Sequence, residues 1–310
     1  MRRNASEALR RLEGEVCRSL PPVDVAMLQQ LWRHDDIVLH CARPSGLEDQ
    51  PDLAQRIRGA LGNALEALCA YPTARADPFD RESPHELLYF WRSPRADTCF
   101  GSTEIAVPMI IRSDMTSQSV RVVIRLFGQA GGHRSMVEAA AVAALEGGVS
   151  LRNHAIRVPL PVVDIAWRRF DGGAHAWPAV ASRATMRYRT PVIIRSGSRL
   201  RLDPEAVMRS CMRRTAALAP WMGFTLEADV DALHACIARL RFQLDIHPEH
   251  WSRTSSRKPG EPIAIYAYGG SMTISGQFEQ ILPYIAIGEF CSIGGECASG
   301  FGANDIVLYP

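Results

Sequence analysis

Residues 120–127 alternate Val120, Val122, Ile124 and Leu126 with Arg121, Val123 and Arg125, the period of two expected of a strand with one polar edge. The pattern sits inside a definite order: a strand at 37–41, a helix at 52–70, apolar strand pieces at 104–112 and 120–127, a helix at 135–147, and an extended stretch at 154–169. The first helix is marked by Leu53, Ile57, Ala60, Leu61, Ala64, Leu65 and Leu68 on one face, and the second ends on Gly147 and Gly148. The same order returns later. A strand at 185–195 precedes a helical region at 203–245 broken near Pro220 and Gly223. A hairpin at 262–276 turning on Gly269 and Gly270, a helix at 277–289 and a last strand at 306–309 follow. Two successive βαββαβ units predict an α+β chain of two tandem ferredoxin-like (RRM-like) domains, joined near Gly172, Gly173 and Pro178. The expected boundaries are 1–35 for an extra N-terminal helix carrying Leu9, Leu12, Val16 and Leu20, 36–172 for the first domain, and 183–310 for the second with a glycine-rich loop.

Charge says little in total and more in its placement. The 310 residues carry 35 basic and 33 acidic side chains, and every basic one except Lys258 is arginine. Arginine presents a planar fork of donors that grips phosphate bidentately, although codon bias accounts for the choice equally well. Between 183 and 214 the chain places Arg183, Arg187, Arg189, Arg195, Arg199, Arg201, Arg209, Arg213 and Arg214 against Asp203 and Glu205 only. The eight cysteines (Cys17, Cys41, Cys69, Cys99, Cys211, Cys236, Cys291 and Cys297) form no Cys-x-x-Cys pair, so no metal or other cofactor is expected. No stretch approaches 18 uninterrupted apolar residues, and the N-terminus lacks the apolar core of a signal peptide. The expectation is a cytoplasmic protein without a membrane partner.

The most specific segment runs from Leu282, Pro283 and Tyr284 through Gly288 to Gly294, Gly295, Ser299, Gly300 and Gly302. Alone it reads as a tight glycine turn or as a row of backbone N–H groups that could cradle a phosphate. It resembles the C-terminal signature of the CRISPR-associated precursor-crRNA-processing endoribonucleases, a branch of the RAMP superfamily. Three further segments are similar to that family in the same order: Arg58-Gly59-Ala60-Leu61-Gly62 in the first helix, Leu126-Phe127-Gly128-Gln129-Ala130 at a strand end, and Thr190-Pro191-Val192 opening the second domain. The resemblance covers about 36–310.

The resemblance implies tandem ferredoxin-like domains that bind CRISPR repeat RNA and cleave it on the 3′ side of a stem-loop without metal. The 2′-hydroxyl attacks the adjacent phosphate, leaving a 2′,3′-cyclic phosphate. Such chemistry needs a base, an acid and cations for the phosphorane charge. The catalytic candidates are Arg58, Arg56 and His40, because the first helix holds no histidine. Against this, His40 also reads as a strand-edge histidine held by a backbone partner, and the two arginines as a solvated helix face. RNA-binding candidates are Arg187, Arg189, Arg195, Arg199, Arg201, Arg209, Arg213, Arg253 and Arg257, with the backbone of Gly294, Gly295, Ser299, Gly300 and Gly302. Glu296 argues against direct phosphate gripping by that loop. Residues 250–262 read as a polar loop that orders on RNA, Trp251 as a stacking side chain, and Trp91, Trp167 and Trp221 as core. The expected partner is the repeat RNA or crRNA stem-loop, together with other CRISPR effector subunits. The alternative is a RAMP subunit that holds crRNA without cutting it, which the missing helix histidine favours.

Overall fold

The computed structural model describes residues 14, 16, 20–68, 90, 95–151, 154–196, 199–200, 202–255 and 258–309. Leu9, Leu12, Cys17, Cys69, Trp91, Arg201 and Arg257 lie outside them. The chain divides into two compact units: Met1–His175 with Ala216–Glu227 and Ala298–Gly300, and Ala176–Thr215 with Ala228–Cys297 and Phe301–Pro310.

In the first unit the elements are β1 (Pro22–Val23), α1 (Val25–Leu31), β2 (Arg33–Ala42), α2 (Leu53–Leu68), the short hairpin β3 (Arg95–Thr98) and β4 (Gly101–Glu104), β5 (Met109–Met115), β6 (Ser119–Phe127), α3 (Arg134–Glu146) and β7 (Val162–Asp171). Strands β5, β6, β2 and β7 form one antiparallel sheet in that spatial order, the 4-1-3-2 arrangement of a ferredoxin-like unit. The register sorts its side chains. Ile37, Ile124, Ile111 and Trp167 share one row, and the ring of Trp167 lies under the guanidinium of Arg134 on α3, 3.3 Å from its carbon. That face therefore carries the helices, and Leu53, Ile57, Leu61 and Leu65 of α2 with Val137, Ala140, Ala141 and Leu145 of α3 are buried.

The segment expected as one N-terminal helix is built differently beyond Leu20. Pro22 and Val23 pair in parallel with Thr225 and Leu226 (β11), and Asp24 caps α1 by accepting from the Met27 amide at 2.7 Å. β2 is also longer than its apolar core of 37–41 suggests. His34, Asp35 and Asp36 join it because each finds a partner on a neighbouring strand. His34 stacks on Phe170 at 4.7 Å with Phe127 at its edge, Asp35 binds Arg169, and Asp36 binds Arg125.

The second unit holds β8 (Arg183–Val192), β9 (Arg195–Ser196), β10 (Arg199–Leu200), α4 (Pro204–Met222, whose last turns Ala216–Met222 fall in the first unit), α5 (Val230–Ala238), β12 (Arg241–Ser255), β13 (Lys258–Ser275), α6 (Leu282–Cys291) and β14 (Asn304–Tyr309). Its sheet order β12-β13-β8-β14 repeats the ferredoxin-like arrangement, all antiparallel.

Four sequence expectations fail here. Residues 241–245 are strand rather than helix, since Phe242, Leu244 and Ile246 alternate with Arg241, Gln243, Asp245 and His247. Gly269 and Gly270 are not a turn. They lie inside β13 opposite His247 and Ile246, where the pairing to β8 shifts register and Gly270 takes φ +110°, a conformation glycine alone adopts cheaply. Residues 250–255 and 258–262 are not a loop but the far part of that two-strand ribbon. The expected helix at 277–289 begins only at Leu282. Trp221 is core, with its indole N–H donating to the Ala106 carbonyl at 2.7 Å, whereas Trp167 is 42% exposed.

His34 generates a test of the packing. Burial, and then the charges of Arg125 and Arg112, hold its imidazole far below the ordinary value of 6.5, so it stays neutral in the fold. The unfolded chain takes up a proton below about pH 6.5 and the fold does not, so stability is full above that pH and falls beneath it. Denaturant unfolding should lose about 1.4 kcal/mol between roughly pH 7.5 and 5.5 from this group. His34→Phe, which keeps a ring on Phe170, should remove that part of the slope.

Candidate functional site

On the first sheet, the face opposite α3 is the one that carries His40. Its register neighbours are Arg121 on β6 and Asp164 on β7, and Arg121 is followed on β5 by Asp114, 3.4 Å from its guanidinium. The row across the sheet thus reads Asp114, Arg121, His40, Asp164. The pairing to β7 shifts register between His40 and Cys41, a local irregularity of the kind that re-aims a side chain. A second row holds Asp36 in a two-pronged pair with Arg125, both contacts 2.7 Å, with side chains 14% and 12% exposed. His40 is half-buried, a solvent-reachable imidazole beside a cation. The sequence marks this face only as the polar edge of 120–127, so Arg121, Arg125 and Asp164 were not singled out.

The α2 arginines separate. Arg56 is engaged by the protein: its Nη2 lies 2.9 Å from the buried Asp52 carboxylate and its Nη1 donates to the Ser150 carbonyl at 2.7 Å. Those bonds tie α2 to the segment after α3, so Arg56 already has a role in the fold. Arg58 is half-buried on α2, and its neighbour Gly59 is exposed with open space at its Cβ position, so Gly59 is not a close-packing glycine.

The glycine run is built against β8 by its own backbone. The Gly294 amide donates to Ser210 Oγ at 3.0 Å, the Gly295 amide to the Ile193 carbonyl at 2.8 Å and the Gly302 amide to the Pro191 carbonyl at 2.9 Å. Thr190 Oγ1 accepts from the Ala303 amide, and Asn304 donates to the carbonyls of Gly288 and Gly302. The N–H groups of Gly294, Gly295 and Gly302 therefore serve the fold and not a phosphate, which corrects that expectation. Gly294 and Gly302 sit at φ +91° and +70°, and a Cβ there would overlap the carbonyls of Ile193 and Ile293. Ser299 and Gly300 are buried.

Cations gather on the second sheet. Arg183, Thr185, Arg187 and Arg189 alternate with buried Ala184 and Met186 along β8 and so share one face. Arg183 stacks on the Tyr309 ring at 4.2 Å, Thr185 bonds Thr273 at 3.1 Å, and exposed Arg189 lies 3.5 Å from Asp305. Arg209 is held by Asp203 and Glu205 at 3.4 and 3.1 Å, which compensates its charge, while Arg213 is exposed on α4. Arg195 and Arg199 lie in the two-strand β9–β10 ribbon, and Arg253 lies on β12 opposite Ile263.

Burial lifts the Cys41 thiol to about 11 and the Cys211 thiol well above its ordinary value, so neither is a poised nucleophile. Among the described residues, no group of three or more His, Cys, Asp or Glu side chains could hold a metal ion, and no helix is long and apolar enough to cross a membrane.

Residues 186–304 match the family model of the CRISPR-associated endoribonuclease Cas6. No curated protein matches the chain. Among solved structures, two Cas6 product complexes share the fold. One has a TM-score of 0.54 at 16% identity, covering 88% of this chain and 100% of its own, and the other 0.52 at 15% identity, covering 89% and 99%. Thermus thermophilus Cas6 is similar at a TM-score of 0.52 and 14% identity, covering 89% of this chain and 99% of its own. The solved structures bear out the tandem ferredoxin-like fold, and the family model matches the stretch that holds two of the four motifs, Thr190-Pro191-Val192 and the glycine run.

The glycine geometry sets a clear contrast. Gly302→Ala should lower stability by about 2–3 kcal/mol in urea unfolding, since both φ and the Ile293 carbonyl oppose a side chain. Gly295→Ala, whose Cβ would meet Ile193 at an ordinary 3.6 Å, should stay within about 0.5 kcal/mol of the parent.

Proposed function

We propose that this chain is a CRISPR repeat-RNA endoribonuclease that matures guide RNA by cutting on the 3′ side of a stem-loop and then holds the product. The observation that carries the reading is the Cas6 family match over 186–304, the stretch running from β8 to the first residue of β14. The Cas6 product complexes of the same fold support an RNA ligand.

The reaction is an internal transesterification. The 2′-oxygen gives up its proton to a base, bonds the adjacent phosphorus and displaces the 5′-oxygen, which takes a proton from solvent water and leaves as a hydroxyl, so no metal is required. His40 is the residue with the right chemistry to take the 2′ proton, a half-buried imidazole on the open face of the sheet. Arg121 beside it supplies positive charge for the phosphorane, whereas Arg58 on α2 lies on the helix side of that sheet and is given no part at this phosphate. In the second unit, Arg183, Arg187 and Arg189 on one face of β8 suit the phosphate track of an RNA stem, read by shape. Arg195, Arg199, Arg213 and Arg253 extend the candidate set. Localisation in the cytoplasm follows from the RNA substrate.

A second reading, a RAMP subunit that binds crRNA without cleaving it, rests on α2 having no histidine and on Arg56 being bound within the fold. End-labelled repeat RNA incubated with the protein in EDTA separates the two. The nuclease yields a shorter product ending in a cyclic phosphate, and the binder only retards the RNA. With the nuclease, His40→Ala should slow single-turnover cleavage by about 10²–10⁴-fold with binding little changed. Normal cleavage by His40→Ala would remove that residue from the chemistry.

A further inference from the structure

We infer that the outer edge of β7 is a self-association surface, on which two copies of this chain pair their β7 strands antiparallel about a two-fold axis through Ala166. Strand β7 ends its sheet, bonded to β2 on one side, and among the described residues no strand pairs with its other side. The ten residues are a long edge to leave open, because unpaired N–H and C=O groups along it template a further strand.

The backbone parity is fixed by one bond. The Gly172 amide donates to the Trp32 carbonyl at 2.7 Å, and the register runs without a break from Arg33–Asp171 to His40–Asp164. In an antiparallel ladder such bonds recur at every second pair. From Asp164 to Phe170 the even-numbered residues of β7 therefore turn their N–H and C=O groups to β2, and Ile165, Trp167 and Arg169 turn theirs outward. A two-fold at Ala166 sets Ile165 opposite Trp167 of the second copy, twice by symmetry and with outward-facing groups on both, so the ladder closes there.

The side chains choose this register. Val163, Ile165 and Trp167 are 67%, 36% and 42% exposed, a strip of apolar surface on an edge strand. Centred on Ala166, Asp164 of each copy faces Arg168 of the other, twice by symmetry, and Ile165 faces Trp167 on the opposite side of the sheet. Moving the axis to Ile165 puts Asp164 opposite Ala166, and moving it to Trp167 puts Asp164 opposite Phe170, so both lose the ion pairs. A β-edge that is self-complementary in hydrogen bonding, apolar contact and charge fits a second copy of itself.

The test is made without RNA, by light scattering and analytical ultracentrifugation of the full chain over a concentration series. The parent should form a dimer. Arg168→Asp, which sets a like charge against each Asp164, should weaken it at least about tenfold. Ile165→Pro removes an outward N–H while sparing the β2 ladder, and should weaken it similarly with an unchanged circular dichroism spectrum. The exchange Asp164→Arg with Arg168→Asp should restore the dimer. A parent that is monomeric at about 100 µM would overturn the proposal. So would a dimer indifferent to Arg168→Asp, or one that the exchange does not restore.

Discussion

The first sheet depends on two consecutive carboxylates in its inner strand. Asp35 and Asp36 on β2 point to opposite faces, and each is closed by a guanidinium from a different neighbour, Arg169 on β7 and Arg125 on β6. The Asp35 side chain is 8% exposed and that of Asp36 14%, so a slip of either neighbour by one residue would leave a carboxylate largely out of water without its partner. The pairs act less as a source of stability than as a lock on register. That lock is felt four residues along, where it fixes Arg121 and Asp164 on the two sides of His40.

The second unit is locked by backbone instead. Pro191 and Ile193 present their carbonyls to Gly302 and Gly295, Thr190 accepts from Ala303, and Asn304 closes onto Gly288 and Gly302. Two motifs far apart in the chain, the Thr190-Pro191 strand and the glycine run, are halves of one hydrogen-bonded joint. The last strand β14 begins where the joint ends, which places Asp305 beside Arg187 and Arg189 on the open face of β8.

Much of this order is legible in the residues. Periods of two and of 3.6 suffice for both βαββαβ units, because the strands and helices are half-buried and each shows its buried side as a stripe. The ends of β2 escape, since His34, Asp35 and Asp36 read as polar loop until their partners on β6 and β7 are known. The long β12–β13 ribbon escapes for a related reason: Gly269 and Gly270 carry the composition of a turn, but here they accommodate a shift in pairing and the approach of the Asp245 carbonyl. At the candidate site, residue type alone nominated Arg56 and the glycine amides, and only their hydrogen bonds reveal that the fold uses them. Conversely Arg121 was visible as one of several strand arginines, and its place beside His40 is a property of register that no local pattern encodes.

The glycine run also has a direction built into its history. Ser292 and Glu296 hold φ of 58° and 57°, left-handed conformations that a side chain tolerates at a cost, while Gly294, Gly300 and Gly302 hold φ between 70° and 91°. The backbone raises no barrier to replacing either of the first two by glycine, and it blocks the reverse change at the other three. Substitution can therefore enrich this stretch in glycine far more easily than it can deplete it, like a ratchet. A glycine-rich signature at this point of the fold would persist through long divergence even in copies whose RNA chemistry had changed or lapsed.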